Sequence, residues 1–325
     1  MASAEEHASE PSVAICIPTF RRPADLTRLL AALPKTIEAA RGAGLLGDFV
    51  VIVIDNDEAE SARAIASEAP LPVRYVVELE RGVVAVRNRA LDEAAGSALM
   101  VFIDDDETPA DVGWLSLMLR AREDFGAGLV AGPVRTVTEG PLDPWVVAGG
   151  FFARAHRSGL GTGSPLTRAA TNNLLLDLSL VERSGVRFDP RFGRTGGEDS
   201  LFTSQLHAHG VRMVWCAEAV VLDHLPVERQ TRAHALERTA GMANAGARVA
   251  LALAGTRPRR IAVRLRSVAS GVVHWIGGAS RGIAGAVLGS ERLVAVGAKE
   301  RARGRGSIAG AGNRSRDLYG GGGVR

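Results

Sequence analysis

Cysteine is nearly absent from this 325-residue chain, which carries only Cys16 and Cys216. Two thiols cannot build a disulfide framework or a four-cysteine zinc site, and they suit a reducing compartment. Lysine is equally scarce: Lys35 and Lys299 are the only two, and neither sits in the Gly-Lys-Ser/Thr of a P-loop. There is no His-Glu-x-x-His zinc motif. No uncharged apolar run reaches the roughly 18 residues that a membrane-spanning helix needs. Met1 to Glu10 is acidic and polar, so no secretory signal is read and a cytoplasmic location is expected. Aromatic residues make up 5% of the chain, and Tyr319 alone interleaves the basic tail. That pattern does not suit a base-stacking surface, so no nucleic-acid partner is expected. The first apolar run ends in Pro18-Thr19-Phe20-Arg21-Arg22, without the glycines of a dinucleotide-binding turn.

What is present is apolar and ordered in pattern. Hydrophobic residues make up 46% of the chain and charged residues 23%, enough for a large core and unlike a disordered segment. The net charge of +3 hides a division. Residues 1–225 hold 21 Lys and Arg against 31 Asp and Glu, whereas residues 226–325 hold 18 against 5. An acidic first part and a basic last hundred residues point to two tasks.

Apolar runs and helical spacings alternate through the first half. Val13–Ile17, Phe49–Ile54, Val73–Val77, Ala98–Ile103 and Gly128–Ala131 read as strands. Ala24–Ala40, Glu58–Ser67, Val83–Ala95 and Val112–Glu123 read as helices. This order predicts βαβ units in a mainly parallel sheet with helices on both faces. Residues 132–170 lack periodicity and read as a long functional loop. Asn172–Leu178 is a further apolar segment, Glu198–His209 a short helix, and Val211–Cys216 and Ala219–Asp223 strands. Glu228–Leu253 is helical in pattern.

Ligands of such sheets bind at the carboxyl ends of strands. Here those ends carry Pro18 to Arg22, Asp55-Asn56-Asp57 and Asp104-Asp105-Asp106-Glu107. Clustered carboxylates repel one another, and a hard divalent cation such as Mg²⁺ or Mn²⁺ relieves that repulsion. The alternative is a solvated acidic turn that caps the next helix. Gly196-Gly197-Glu198-Asp199 carries the same ambiguity: acids capping a helix, or a carboxylate held as general base. Arg87 either pairs with phosphate or lies exposed on its helix. His224, at a strand end, is either structural or a third metal ligand.

Taken in order, several segments resemble family 2 glycosyltransferases of GT-A fold over about residues 12–255. They are Ala14 to Pro23, Val53 to Asp57, Gly82 through Arg89, Phe102 to Glu107, Thr171-Asn172-Asn173, and Phe188 through Asp199. The similarity is strongest to the succinoglycan-biosynthesis, ExoM-like branch, which carries similar Asp-Asp-Asp-Glu and Thr-Gly-Gly-Glu-Asp stretches. The resemblance implies an inverting, metal-dependent transfer of a hexose from a nucleotide sugar, with UDP as the nucleotide. The acceptor it implies is a saccharide or polyprenyl-linked saccharide of cell-surface or exopolysaccharide assembly. Pro18, Thr19, Arg21, Asp55, Arg87 and Asp104 would line the nucleotide site, with Asp55 accepting from the uracil ring. Asp104, Asp106 and His224 would hold Mg²⁺ or Mn²⁺. Asp199 would be the base, with Glu198 orienting the acceptor. Thr171-Asn172-Asn173 departs from a common Thr-Gly-Asn, and Arg232-Ala233 from a common Arg-Trp. A nucleotidyltransferase would need a Gly-rich basic loop after the first strand, absent here. A non-catalytic scaffold on the same fold is the remaining rival.

The expected organisation is therefore a flexible segment over residues 1–11, a catalytic domain over 12–255, a basic amphipathic helical region over 256–298 and a disordered basic tail over 299–325. In the third of these, Ile261, Leu265, Val268, Val272, Trp275, Ala279 and Ile283 share a helical face. Such a helix either packs on the domain or lies peripherally on an anionic membrane, here at the inner face of the cell membrane. Gly271, Gly277, Gly278 and Gly282 weigh against helix.

Overall fold

The computed structural model describes residues 10–153, 157, 159–193 and 195–312. The elements run β1 (Val13–Thr19), α1 (Pro23–Gly42), β2 (Phe49–Asp55), α2 (Arg63–Ser67), β3 (Val73–Val77), α3 (Val83–Glu93), β4 (Leu99–Ile103), β5 (Glu107–Pro109), α4 (Trp114–Phe125), β6 (Leu129–Ala131), β7 (Val134–Thr138) and α5 (Pro144–Ala148). They continue as β8 (Asn173–Asp177), α6 (Leu178–Ser184), α7 (Glu198–Ala208), β9 (Met213–Trp215), β10 (Val221–Leu225), α8 (Arg232–Leu253), α9 (Arg257–Val287) and α10 (Glu291–Ala311).

Seven strands form the main sheet in the order β3-β2-β1-β4-β8-β6-β9. Only β8 runs against its neighbours β4 and β6; the other paired strands are parallel. The uninterrupted apolar runs follow from two covered faces. Along β1, Val13, Ile15 and Ile17 join one core cluster with Leu26, Leu29 and Leu33 of α1 and Trp114 and Met118 of α4. Ala14 and Cys16 face the opposite cluster, with Ala90 of α3, Val181 of α6 and Phe202 of α7. Side chains alternate along a strand, so both faces must be apolar. The carboxyl ends of β1, β2 and β4 thereby meet at one edge, beside the start of β8, where Ile103 pairs Asn173.

A second sheet, β5-β10-β7, lies next to that edge. It corrects the long-loop reading of residues 132–170, because Val134–Thr138 pairs in parallel with Val221–Leu225. In α5, Trp145 and Val146 pack with Phe151, Phe152, Leu225 and Ala295. The helix expected over Glu58–Ser67 shortens to Arg63–Ser67.

The C-terminal region differs most from expectation. α9 is an unbroken helix of 31 residues despite its glycines. The expected disordered tail does not begin at Lys299, since α10 continues to Ala311; residues 313–325 lie outside the described residues. The reason is close packing. A Cβ built on Gly278 would lie 2.6 Å from the Gly297 carbonyl, and one on Gly297 would lie 2.6 Å from the Gly278 carbonyl. Two backbones in such contact gain packing that offsets the roughly 1 kcal/mol that each glycine costs a helix. Lys299 anchors the other side of α10 by donating to the Gly149 carbonyl at 3.1 Å.

Candidate active site

Three turns organise the sheet edge. After β2, Asp55 is fully buried. Its Oδ1 accepts from the Asp57 amide at 3.0 Å, and its Oδ2 accepts from the Ala62 amide at 2.9 Å and the Tyr75 hydroxyl at 2.8 Å. Asp55 therefore shapes its own loop, with three of the roughly four acceptor sites of its carboxylate in use. Asn56 ties this loop to the next. Its amide donates to the Glu78 and Glu80 carbonyls at 2.8 and 2.7 Å, and its Oδ1 accepts from the Gly82 amide at 2.9 Å. After β1, Arg21 adopts φ 53° and donates to both oxygens of Asp57 at 3.1 Å. Pro18 and Thr19 complete β1, and the Thr19 hydroxyl donates to Asp105 at 2.7 Å.

The carboxylates after β4 face a basic partner that sequence reasoning missed. Arg22 donates to Asp105 at 2.9 Å and to Asp106 at 2.6 Å. The Arg21-Arg22 doublet was the available signal, although nothing local distinguishes the exposed arginine from the bridging one. Arg87 is 6% exposed, not lying free on its helix. It pairs with Glu198 and stands 3.8 Å from Asp104. A chain of groups thus runs from Asp104 through Arg87 to Glu198, next to Asp199. Both acids begin α7, behind Gly196 and Gly197, whose φ values are 70° and 94°. Glycine adopts that region at little cost.

Burial dominates the protonation of this cluster. It raises Asp104 to about 6, against Arg87 and with Asp106 adding to the rise. It raises Asp105 to about 7, against Arg22. Asp106 and Glu198 are also raised by burial, with Arg22 and Arg87 respectively opposing. The sign of the consequence follows from linkage. Between the ordinary value of 3.8 and about 7, the folded chain holds a proton on Asp105 that the unfolded chain has released. Stability from this site therefore falls as pH rises through that window. Asp105→Asn cannot ionise. Its melting temperature relative to the parent should rise by roughly 3–5 °C between pH 5 and pH 8. A difference that stays constant with pH would remove the buried proton.

The His224 ring feels the charges of Asp25, Asp223 and Asp106 but is held by a hydroxyl. Thr108 on β5 engages its Nε2 at 2.9 Å, and burial lowers its pKa. Its backbone amide donates to the Asp106 carbonyl at 2.9 Å, so the residue braces the acidic turn through the main chain. Asp223 is the closer acid in effect, because its charge raises both Asp104 and Asp106. Among the described residues, no three His, Cys, Asp or Glu side chains converge as a group ready to hold a metal. Two mutually repelling carboxylates nevertheless match the mode in which Mg²⁺ or Mn²⁺ takes one or two protein oxygens and completes its shell from a diphosphate and water. Asp104 and Asp106 would be the oxygen donors for such an ion.

The Thr171-Asn172-Asn173 segment is held firmly. Asn173 donates to the Ala219 carbonyl at 2.7 Å and accepts from the Trp114 indole at 3.0 Å. Asn172 donates to Glu107. Thr171, Asn173 and Glu107 are buried.

Residues 14–168 match the profile of glycosyl transferase family 2. The chain is 34% identical over 233 residues to the succinoglycan biosynthesis protein ExoM of Rhizobium meliloti (strain 1021), covering 70% of each chain. Among solved structures, residues 1–349 of S. aureus TarS superpose with a TM-score of 0.52 at 15% identity, over 76% of this chain and 66% of that one. GalNAc-T7, solved with UDP, GalNAc and Mn²⁺, superposes with a TM-score of 0.50 at 12% identity, over 74% of this chain and 51% of that one. The chain thus spans about two thirds and about half of these two structures.

Proposed function

The chain belongs to glycosyl transferase family 2 and has a GT-A-like α/β fold, and on that footing we propose that it moves a hexose from a nucleoside diphosphate sugar, UDP-linked, to a hydroxyl, with inversion. The acceptor is a saccharide or polyprenyl-linked saccharide at the cytoplasmic face of the membrane, and its place in polysaccharide biosynthesis is in keeping with the relative's name. The observation that carries this reading is the linked set at one sheet edge: Asp104 and Asp106 on one side, Arg87 in the middle, Glu198 and Asp199 on the other.

Each residue has a task in a single displacement. Pro18, Thr19 and Arg21 border the nucleotide, and Asp55 and Asn56 fix the loop that meets its base. Asp104 and Asp106 would hold a Mg²⁺ or Mn²⁺ ion, which supplies counter-charge to the diphosphate. Arg87 adds positive charge where negative charge builds on the leaving group. Asp199 accepts the proton of the acceptor hydroxyl as that oxygen bonds to the anomeric carbon. The bond from that carbon to the diphosphate breaks on the opposite face, with the electron pair leaving on UDP. Glu198, clamped by Arg87, holds the start of α7 in place.

The test is a thermal-shift titration with UDP, ADP and GDP, each with and without Mn²⁺. A ligand at 100 times its Kd adds about 2.7 kcal/mol, an upward shift of roughly 5 °C. The expected shift needs UDP and Mn²⁺ together. A shift with GDP alone would reassign the donor, and no shift with any nucleotide would overturn the reading.

A further inference from the structure

Helix α9 is built inside out for a surface helix. The side it buries is glycine: Gly271, Gly278 and Gly285, seven residues apart, are its only buried positions. They meet the start and face of α10, Gly271 at Gly304, Gly278 at Gly297 and Gly285 at Val294. Its large apolar side chains point away from the protein. Ile261, Leu265, Val272, Trp275, Ile276 and Ile283 are 41–68% exposed. At 3.6 residues per turn they share an arc of about 100°, and the helix that carries them is about 46 Å long. An ordinary surface helix turns such a stripe toward the core, and soluble monomers rarely leave so long a patch uncovered.

Charge identifies what covers it. Residues 257–311 hold eleven Lys and Arg against two Glu. Arg257 and Arg264 lie at one edge of the apolar arc, Arg266 lies about 80° beyond the other, and all three are exposed. A second copy of this helix would bring like charges together. An anionic lipid headgroup layer accepts them, while the acyl region beneath accepts the apolar arc. No helix among the described residues is long and apolar enough to cross a membrane. We propose that α9 lies flat in the surface of an anionic bilayer, with Trp275 and its apolar neighbours below the phosphates and the arginines among them. α10 is then the strut between the bilayer and the domain. It packs on α9 along one side and against α8 on the other, where Gly306 meets the Ala240 backbone and Gly310 that of Asn244. The inference stands apart from the transfer reaction, because lipid binding is measured without donor or acceptor.

The experiment is flotation of the full chain with vesicles of phosphatidylcholine alone or with 30% phosphatidylglycerol, at low and high salt. The chain should float with the anionic vesicles at low salt, with at least a tenfold higher partition than with neutral ones. The triple variant Leu265→Ser, Trp275→Ser, Ile276→Ser keeps every arginine and should lose at least tenfold in partition, with an unchanged melting temperature. Fluorescence gives an independent readout. Of the four tryptophans, Trp114, Trp145 and Trp215 are buried and Trp275 is 43% exposed. Brominated anionic lipid should therefore quench the parent and leave Trp275→Phe almost unquenched. Failure to float, equal binding to neutral vesicles, or full binding by the triple variant would each overturn the proposal. A concentration-dependent dimer that the triple variant abolishes, without vesicle binding, would assign the face to a second copy instead.

Discussion

Asp199→Asn is expected to reduce transfer by about a thousandfold while leaving UDP and Mn²⁺ binding within a factor of two. The size follows from removing a general base, an effect typically of 10²–10⁴. The selectivity follows from position. Asp199 sits on the first turn of α7, outside the Asp104–Asp106 turn proposed to meet the diphosphate. The amide keeps the shape of the carboxylate and loses only its proton affinity. Folding should change little, since a first-turn carboxylate contributes at most about 1 kcal/mol to its helix. The variant also separates an enzyme from a binding scaffold. Transfer within threefold of the parent would remove Asp199 from the chemistry, and loss of nucleotide binding would place it in the donor site.

The second large effect belongs to Arg87. Removing one member of a buried ion pair leaves the other charge uncompensated and typically costs 3–5 kcal/mol. Arg87 is 6% exposed and Glu198 is 2% exposed, so Arg87→Ala should lower the melting temperature by roughly 5–8 °C. Burial already raises the Glu198 pKa, and Arg87 opposes that rise. Without Arg87 the carboxyl protonates more readily, so the deficit should be larger at pH 8 than at pH 5. The double variant Arg87→Met, Glu198→Gln should recover most of the stability, because no buried charge remains, yet stay inactive. A loss below about 2 °C in the single variant, or one independent of pH, would contradict the pairing.

The main sheet and the order of its motifs were legible because their signals are local. A buried parallel strand must be apolar on both faces, and β1, β2 and β4 are each a short apolar run ended by polar residues. The carboxylate turn after β4 and the acids of α7 were found for the same reason. The second sheet was not legible, because β7 takes its pairing from Val221–Leu225, far along the chain. Which partner each carboxylate takes was also hidden: Asp55 and Asp57 look equivalent in sequence and both are buried, yet one is satisfied by backbone amides and the Tyr75 hydroxyl and the other by Arg21. The partner of the His224 ring was hidden too, because Thr108 sits on a strand too short to read. In α9 and α10, glycine was read through its intrinsic helix cost, which is outweighed when two helices touch backbone to backbone.

That contact also bears on how such a gene can change. α10 lies between α8 and α9, and Lys299 reaches back to the carbonyls of Gly149 and Gly150 beside α5. The chemistry and the outer helix are therefore not interchangeable modules. A recombination event that cut the reading frame near codon 255 would strip a glycine-tight seam from α8 and take away the lysine that closes the 149–150 turn. A foreign C-terminal segment would have to arrive with matching small residues at the positions of Gly306 and Gly310. The two halves of the molecule are thus expected to be inherited together, and to drift together.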